Sequence, residues 1–270
     1  MKKLFILFFT ITSHFINAQP YYPHKGSLII IGGGEITNEM YDLFAQKIGG
    51  KDQRIVYIPT ATDDEAWIQE GKHLEKFTTR GFTNLKTVHT RDRIKANESI
   101  FPEMINNANG VFLGGGDQEN LAKIYGGTAT LKALNALLDR GGVIMGTSAG
   151  ATIMGSLMIG GDHRKTPHLP KDFSEGFSFI QQIAIDQHVL VRNRQFDLVP
   201  VLEKYPNILG MALDEGTAAV VESDSIRVIG NSYMLIFDQL DWEKQRKAWG
   251  RVYHPFKIYS KGAVYPIGKN

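Results

Sequence analysis

The segment from Gly141 to Ala151 places the tightest limits on how this chain can fold. It begins with an apolar run, Val143 to Met145, that is too short for a helix and is typical of a buried strand. The run leads into Gly146-Thr147-Ser148-Ala149-Gly150, which fits the pattern G-x-S-x-G of a nucleophile elbow. Small flanking residues let such a strand-to-helix turn close at strained backbone angles. An ordinary glycine-rich turn has the same pattern, so the rest of the chain must decide between the two.

Apolar runs and helical segments alternate along the first half of the chain. Three runs end in glycine-rich or polar turns: Ser27–Ile31 before Gly32-Gly33-Gly34-Glu35, Arg54–Ile58 before Pro59-Thr60-Ala61-Thr62, and Val111–Leu113 before Gly114-Gly115-Gly116-Asp117. Segments with helical spacing separate them: Met40, Leu43, Phe44 and Ile48, then Ala66, Ile68, Leu74 and Phe77, then Leu131, Leu134, Leu137 and Leu138. This alternation predicts an α/β fold with one mostly parallel sheet and helices on both faces. The turns and Ser148 should meet at the carboxyl edge of that sheet.

The amino terminus has the pattern of a cleavable export signal. Lys2 and Lys3 precede an apolar run from Leu4 to Thr12, and Ala18 supplies a small residue for cleavage. The run is too short to span a bilayer. We therefore expect residues 1–18 to be a signal peptide, residues 19–270 to form a single domain, and the mature protein to be secreted or periplasmic.

Composition excludes several kinds of partner and chemistry. Without the two signal lysines the chain carries 28 basic and 28 acidic residues, a balance that argues against nucleic acid or an anionic membrane as the main partner. The chain has no cysteine, so a disulfide, a cysteine nucleophile or a thiolate metal site is impossible. No other stretch is apolar for long enough to span a membrane, and 43% hydrophobic residues are enough for a large core.

The two triple-glycine turns do not fit a nucleotide-binding loop. The third glycine of G-x-G-x-x-G would fall at Thr37 in the first turn and at Glu119 in the second, and neither turn continues as a P-loop. Close approach of the backbone to a reacting group is the better interpretation of the second turn. Its N–H groups at Gly115 and Gly116, with that of Ala149, are candidates for an oxyanion hole.

A second polar cluster follows the elbow and supplies a candidate base and acid. The apolar run Ile183–Ile185 ends in Asp186-Gln187-His188, and the run Ile208–Leu213 ends in Asp214-Glu215-Gly216. His188 is preferred over the other histidines because it lies at a strand end beside further polar groups. Its serious rivals are His163 and His168, in the polar loop after the elbow.

Four motifs, in order, resemble the cyanophycinases and their relatives in peptidase family S51. These motifs are Gly114-Gly115-Gly116-Asp117-Gln118, Gly146-Thr147-Ser148-Ala149-Gly150, Asp186-Gln187-His188, and Asp214-Glu215-Gly216-Thr217-Ala218. The resemblance runs from about Gly32 to the carboxyl end. It implies a flavodoxin-like sheet related to class I glutamine amidotransferases, and serine exopeptidase chemistry on aspartyl bonds, typically the β-linked Asp-Arg units of cyanophycin.

The resemblance also implies a role for individual residues. Ser148 corresponds to the nucleophile, His188 to the general base and Glu215 to the acid that orients it. The implied substrate pocket consists of Gln118, Asp186, Gln187, Arg192 and Arg194. An imidazole is the usual activator of a serine hydroxyl, and a planar guanidinium can bind a carboxylate bidentately.

Two positions depart from the family pattern. Val189 stands where the histidine is usually followed by phenylalanine, and Asp197 stands where a third arginine is usual. Asp197 is expected in or beside the pocket, where the reversed charge bears on the choice of substrate; a solvated helix position is the alternative. Asp162, in the loop after the elbow, is the rival for the acid because related aspartyl dipeptidases take theirs from that region.

The sequence thus predicts an exported serine exopeptidase that hydrolyses aspartyl peptide bonds and needs no cofactor and no metal. Its partner is an aspartyl peptide, and a homodimer is compatible with the sequence. The alternatives are a dipeptidase for free α- or β-aspartyl dipeptides and a catalytically silent binding protein on the same scaffold. A general esterase is disfavoured because its acid normally lies between serine and histidine, whereas Glu215 follows His188.

Overall fold

Strands and helices alternate along the chain as the sequence predicts. The computed structural model describes residues 21–160 and 174–268. The strands are β1 (Ser27–Ile31), β2 (Ile55–Ile58), β3 (Leu85–Thr87), β4 (Gly110–Leu113), β5 (Val143–Thr147), β6 (Leu157–Met158), β7 (Ser174–Glu175), β8 (Ile183–Gln187), β9 (Leu209–Leu213), β10 (Thr217–Glu222), β11 (Ser225–Gly230), β12 (Met234–Phe237), β13 (Lys257–Tyr259) and β14 (Val264–Pro266). The helices are α1 (Asn38–Ile48), α2 (Glu65–Gln69), α3 (Glu75–Thr78), α4 (Ile100–Asn106), α5 (Gln118–Tyr125), α6 (Ala129–Asp139), α7 (Ala149–Thr152), α8 (Leu198–Lys204) and α9 (Gln239–Trp249), with short 3₁₀ turns at Lys72–Leu74 and Lys95–Asn97.

The larger sheet has the order β14-β11-β10-β1-β5-β4-β2-β3. Strands β1, β5, β4, β2 and β3 run parallel, while β10, β11 and β14 extend the sheet with antiparallel pairs. The predicted α/β class with a large, mostly parallel sheet is therefore confirmed. Its carboxyl edge carries the three glycine-rich or polar turns and Ser148.

The described residues form a second sheet, whereas the sequence predicts only one. It has the order β13-β12-β9-β8-β6-β7, and it contains the two strands that lead to His188 and Glu215. The apolar pattern of a strand identifies its buried faces but not the sheet that it joins, so the sequence does not show this division. The chain passes from the second sheet into the first between β9 and β10, at Asp214-Glu215-Gly216.

Alternating side chains of the strands divide the interior into three layers. In β1, Leu28 and Ile30 face a central core between the two sheets, whereas Ile29 and Ile31 face a second core under α1. The outer face of the second sheet packs against α8 and α9 through residues such as Trp242. Full burial of one such aliphatic or aromatic side chain stabilises the fold by about 1.5–3 kcal/mol. Helix α7 also belongs to the central core, so the elbow is held by both sheets.

The predicted helix through Ala66 and Phe77 is broken into shorter pieces. Gly71 adopts φ 72°, a left-handed conformation that ends α2 before the 3₁₀ turn begins. Among the described helices, none has the length and apolar character needed to cross a membrane.

Candidate active site

Ser148 lies on the predicted sharp turn between β5 and α7. Its backbone has φ 54° and ψ −115°, a conformation that is uncommon for any residue other than glycine. Its N–H donates to the carbonyl oxygen of Ile31, at the end of the neighbouring strand, at 3.0 Å. A side chain at Gly150 would place its Cβ 2.2 Å from the carbonyl oxygen of Leu113, so this turn requires glycine at that position.

His188 follows β8 and reaches across from the second sheet to this serine. Its Nε2 lies 2.9 Å from Oγ of Ser148, and its Nδ1 is hydrogen-bonded to Oε1 of Glu215. The backbone of His188 has φ 55°, and its N–H donates to the carbonyl oxygen of Gly32 at 2.8 Å. Serine, imidazole and carboxylate therefore form one hydrogen-bonded chain, in the order that allows the imidazole to accept the proton of serine while the carboxylate orients the imidazole.

The electrostatic surroundings favour a neutral imidazole. Burial lowers the pKa of His188 below its ordinary value, and the hydrogen bond to Glu215 opposes this shift by stabilising the charged form. The positive charges of Arg192 and Arg194 lower it further. A base with a lowered pKa is unprotonated at neutral pH and can accept the proton of Ser148.

The first triple-glycine turn, to which the sequence analysis gave no chemical role, makes room for the histidine and the glutamate. A Cβ at Gly33 would lie 2.2 Å from Cε1 of His188, and one at Gly34 would lie 2.6 Å from Oε2 of Glu215. Both glycines have positive φ. Three successive glycines after a strand indicate that other atoms pack closely against the backbone. Here those atoms belong to the side chains of His188 and Glu215.

Asp214 is a second residue whose role the sequence left undefined. Its Oδ1 accepts hydrogen bonds from the N–H groups of Leu190 and Val191, at 3.0 Å each, and its Oδ2 accepts one from Oγ of Ser232 at 2.7 Å. This buried carboxylate ties the loop after His188 to the turn that carries Glu215. Asp214 is therefore a positioning residue for both.

Two of the three predicted oxyanion-hole residues adjoin the serine directly. Ala149 follows it in sequence, and a Cβ at Gly115 would lie 3.3 Å from Cβ of Ser148 and 3.8 Å from its Oγ. Gly116 continues the same turn with φ 139°. The N–H groups of Gly115, Gly116 and Ala149 donate to no backbone carbonyl in the turns and loops of residues 21–160 and 174–268.

The predicted pocket residues lie in four different surroundings, of which the last is an ion cluster. Oε1 of Gln187 lies 3.4 Å from Oγ of Ser148, directly beside the candidate nucleophile. Gln118 is buried, and its Nε2 donates to the carbonyl oxygen of Ile159 at 2.8 Å, so its amide supports the chain after α7. Arg192 is exposed.

Asp186, Arg194 and Asp197 form an ion cluster of their own. Nη2 of Arg194 lies 3.0 Å from Oδ1 of Asp186, and its Nε lies 3.1 Å from Oδ2 of Asp197. Asp186 is completely buried, and burial raises its pKa to about 6 although Arg194 opposes the shift. Asp186 therefore offers no surface to a substrate; it holds Arg194 and the N–H of Gln187 in place, and two carboxylates already balance the charge of Arg194. Asp197, the expected departure, forms an ion pair with that arginine, and its side chain is 21% exposed.

A pocket of about 420 Å³ opens beside Ser148 and His188. Its opposite wall comes from α1, β2, α2, α3 and β4 and includes Trp67, which the sequence analysis did not single out. The rivals Asp162, His163 and His168 lie outside the described residues.

A serine on a strand-to-helix turn, with an imidazole at hydrogen-bond distance and a carboxylate behind it, is the arrangement of an α/β serine hydrolase. Comparison with known proteins narrows the class. The model of "Peptidase family S51" matches residues 28–229. The cyanophycinase of Geminocystis herdmanii is 33% identical over 221 residues, which is 79% of this chain and 81% of that protein. The cyanophycinase of Synechococcus elongatus is 30% identical over 244 residues, covering 88% and 76% respectively.

Solved structures share the fold. A peptidase from an acI-B1 Actinobacterium superposes with a TM-score of 0.70 at 22% identity, covering 90% of this chain and 97% of that one. A putative peptidase E from Listeria monocytogenes gives 0.55 at 15% identity, covering 77% and 99%. The chain belongs to peptidase family S51, and it is a serine-type peptidase that resembles the cyanophycinases.

The glycine turn yields a first prediction. Gly33→Ala should lower kcat/KM by about a hundredfold or more, because the new methyl group must displace the imidazole of His188. Gly262→Ala is the matched control: its φ of 85° imposes a similar backbone cost, of about 1–2 kcal/mol, but no atom lies within 4 Å of the added Cβ. Gly262→Ala should lose only this backbone cost in thermal unfolding, and Gly33→Ala should lose at least as much. Equal activity of the two would show that Gly33 does not have to make room for the histidine.

The acid yields a second prediction, on pH dependence. Glu215 raises the pKa of His188, so Glu215→Gln should lower that pKa further and move the acid limb of the kcat/KM profile to lower pH. The plateau should fall by about 10²–10⁴-fold because the amide no longer stabilises the imidazolium or fixes the tautomer. The exposed Glu203 provides the control: Glu203→Gln should change neither the pH of the acid limb nor the plateau value of kcat/KM. A limb that moves to higher pH would contradict the assignment of Glu215.

Proposed function

We propose that this protein is an exported serine exopeptidase that hydrolyses aspartyl peptide bonds through Ser148, His188 and Glu215. The hydrogen-bonded chain from Oγ of Ser148 through His188 to Glu215 is the observation that carries the proposal. The cyanophycinases among the relatives support the aspartyl bond as the target, in the β-Asp-Arg units of cyanophycin or in related peptides.

In this mechanism Oγ of Ser148 attacks the carbonyl carbon of the aspartyl bond while Nε2 of His188 accepts its proton. Glu215 accepts the hydrogen bond from Nδ1–H and stabilises the imidazolium that forms. The N–H groups of Gly115, Gly116 and Ala149 stabilise the oxyanion of the tetrahedral intermediate. The intermediate collapses when the imidazolium donates its proton to the leaving amine, and a water molecule, activated by His188, then releases the acyl group from the serine.

A dipeptidase for free aspartyl dipeptides is the second candidate. The pocket of about 420 Å³ favours it, since that volume is at the lower end of the range for small-molecule sites. The balanced charge of Arg194 also favours it, because less positive charge remains for an anionic polymer. A catalytically silent binding protein would not need the strained backbone of Ser148 and His188.

The third prediction concerns turnover. The mature protein should cleave either cyanophycin or free aspartyl dipeptides when it is incubated with each of them and the products are identified by mass. Cleavage of cyanophycin supports the exopeptidase, and cleavage of the dipeptides alone supports the dipeptidase. Ser148→Ala and His188→Ala should each lower kcat by several orders of magnitude while thermal unfolding stays unchanged, because members of a triad act as a unit. Asp162→Asn should cost less than Glu215→Gln. If it costs more, Asp162 is the acid.

The fourth prediction concerns export. Lys2, Lys3 and the apolar run that follows motivate it, and these residues lie outside the described part of the chain. Protein recovered outside the cytoplasm should begin at or near Gln19 when its amino terminus is sequenced. An intact Met1 on that protein would refute a cleaved signal.

A further inference from the structure

The pocket beside Ser148 has a wall of aromatic rings that the proposed mechanism does not use. Gly115, Ser148 and His188 line the end of the pocket where the reaction occurs. The rings that line the other side, called the aromatic wall below, are Tyr41, Tyr57, Trp67, Phe77 and Phe112. Tyr41, Tyr57, Phe77 and Phe112 also belong to the buried core under α1, whereas Trp67 is only half-buried.

The rings of the aromatic wall hold one another in fixed orientations. Tyr57 and Phe112 pack edge to face with centroids 4.8 Å apart, and Phe77 lies 5.0 Å from Phe112 and 5.2 Å from Tyr41. Aromatic pairs in this geometry gain energy beyond simple burial. Because these four rings are at most 6% exposed, the half-buried Trp67 is the ring of the wall that is open to an entering side chain.

One polar atom of the wall is unsatisfied. Tyr41 is 1% exposed, and its hydroxyl has no hydrogen-bond partner within the described part of the chain. Burial raises the pKa of Tyr41, so this hydroxyl stays neutral. A buried hydroxyl without a partner carries a desolvation penalty that a ligand could relieve.

The charges at the pocket distinguish between kinds of ligand. Oδ1 of Asp64 accepts a hydrogen bond from the N–H of Trp67 at 2.9 Å and caps α2. The exposed Lys76 also lines the pocket and has no ion-pair partner among residues 21–160 and 174–268. The ammonium of Lys76 can pair with the free carboxylate of a bound residue, while the carboxylate of Asp64 carries the opposite charge in the same pocket.

The position of the pocket indicates which part of the substrate it binds. His188 lines the pocket and, in the proposed mechanism, gives its proton to the leaving amine. Gln118, Gln187 and Arg192, which the resemblance implies for the aspartyl group, do not line it. We propose that the aromatic wall binds the side chain of the residue that follows the scissile aspartyl bond, that this residue is aromatic, and that Lys76 binds its free carboxylate. This inference rests on the proposed aspartyl peptidase activity.

The fifth prediction is a preference among aspartyl dipeptides. In the wild-type protein, kcat/KM for Asp-Phe should exceed that for Asp-Ala, of the same α or β linkage, by about tenfold or more. Trp67→Ala should reduce this ratio to within about threefold, because it removes one face of the wall. Trp249 is the matched control: it is exposed in α9 and does not line the pocket, so Trp249→Ala should keep the wild-type ratio.

A second variant covers the case that Trp67→Ala does not fold. Lys76 is exposed, and Lys76→Gln should raise KM for Asp-Phe but not for its carboxyl-terminal amide. A wild-type ratio near one, or an unchanged ratio in a folded Trp67→Ala protein, overturns the subsite while leaving the aspartyl peptidase activity intact. Absence of cleavage of every aspartyl peptide overturns the proposed function and the subsite with it.

Discussion

The contact between the end of β8 and the end of β1 is the constraint on which the site depends. The N–H of His188 donates to Gly32 and the N–H of Gly216 donates to Gly33, so the two sheets meet at the first glycine turn. Ser148 belongs to one sheet, His188 to the other, and Glu215 to the segment that crosses between them. Two side chains from different sheets can meet at 2.9 Å only if this contact is close, and glycines allow that approach.

The backbone of Ser148 and of His188, the candidate nucleophile and base, is strained. Ser148 and His188 both have positive φ, and such a conformation costs about 1–3 kcal/mol per residue when it is not glycine. The central core, which includes α7 and strands of both sheets, supplies the burial that offsets this cost. The same burial removes water from His188 and keeps its pKa low, so packing and basicity have one cause.

Local signals in the sequence predicted the local parts of the structure. The elbow at Ser148, the strands before each glycine turn and the candidate base and acid were all visible as short patterns. Which sheet a strand joins was not visible, because β8 and β9 show the same run of apolar residues as β1 and β5. The ion pairs of Arg194 and the anchoring role of Asp214 depend on contacts between distant segments, and a motif encodes residue types but not such partners. The sequence did not predict the aromatic wall, because its rings come from five separate elements.

The charges beside the site are arranged separately from the hydrogen-bonded chain of Ser148, His188 and Glu215. Asp197 gives Arg194 a second carboxylate partner besides Asp186, and neither carboxylate takes part in that hydrogen-bonded chain. Arg192 then remains as the exposed cation near the base, and its charge still lowers the pKa of His188. The hydrogen-bonded chain from Ser148 to Glu215 and the ion cluster around Arg194 are thus neighbouring but separate groups.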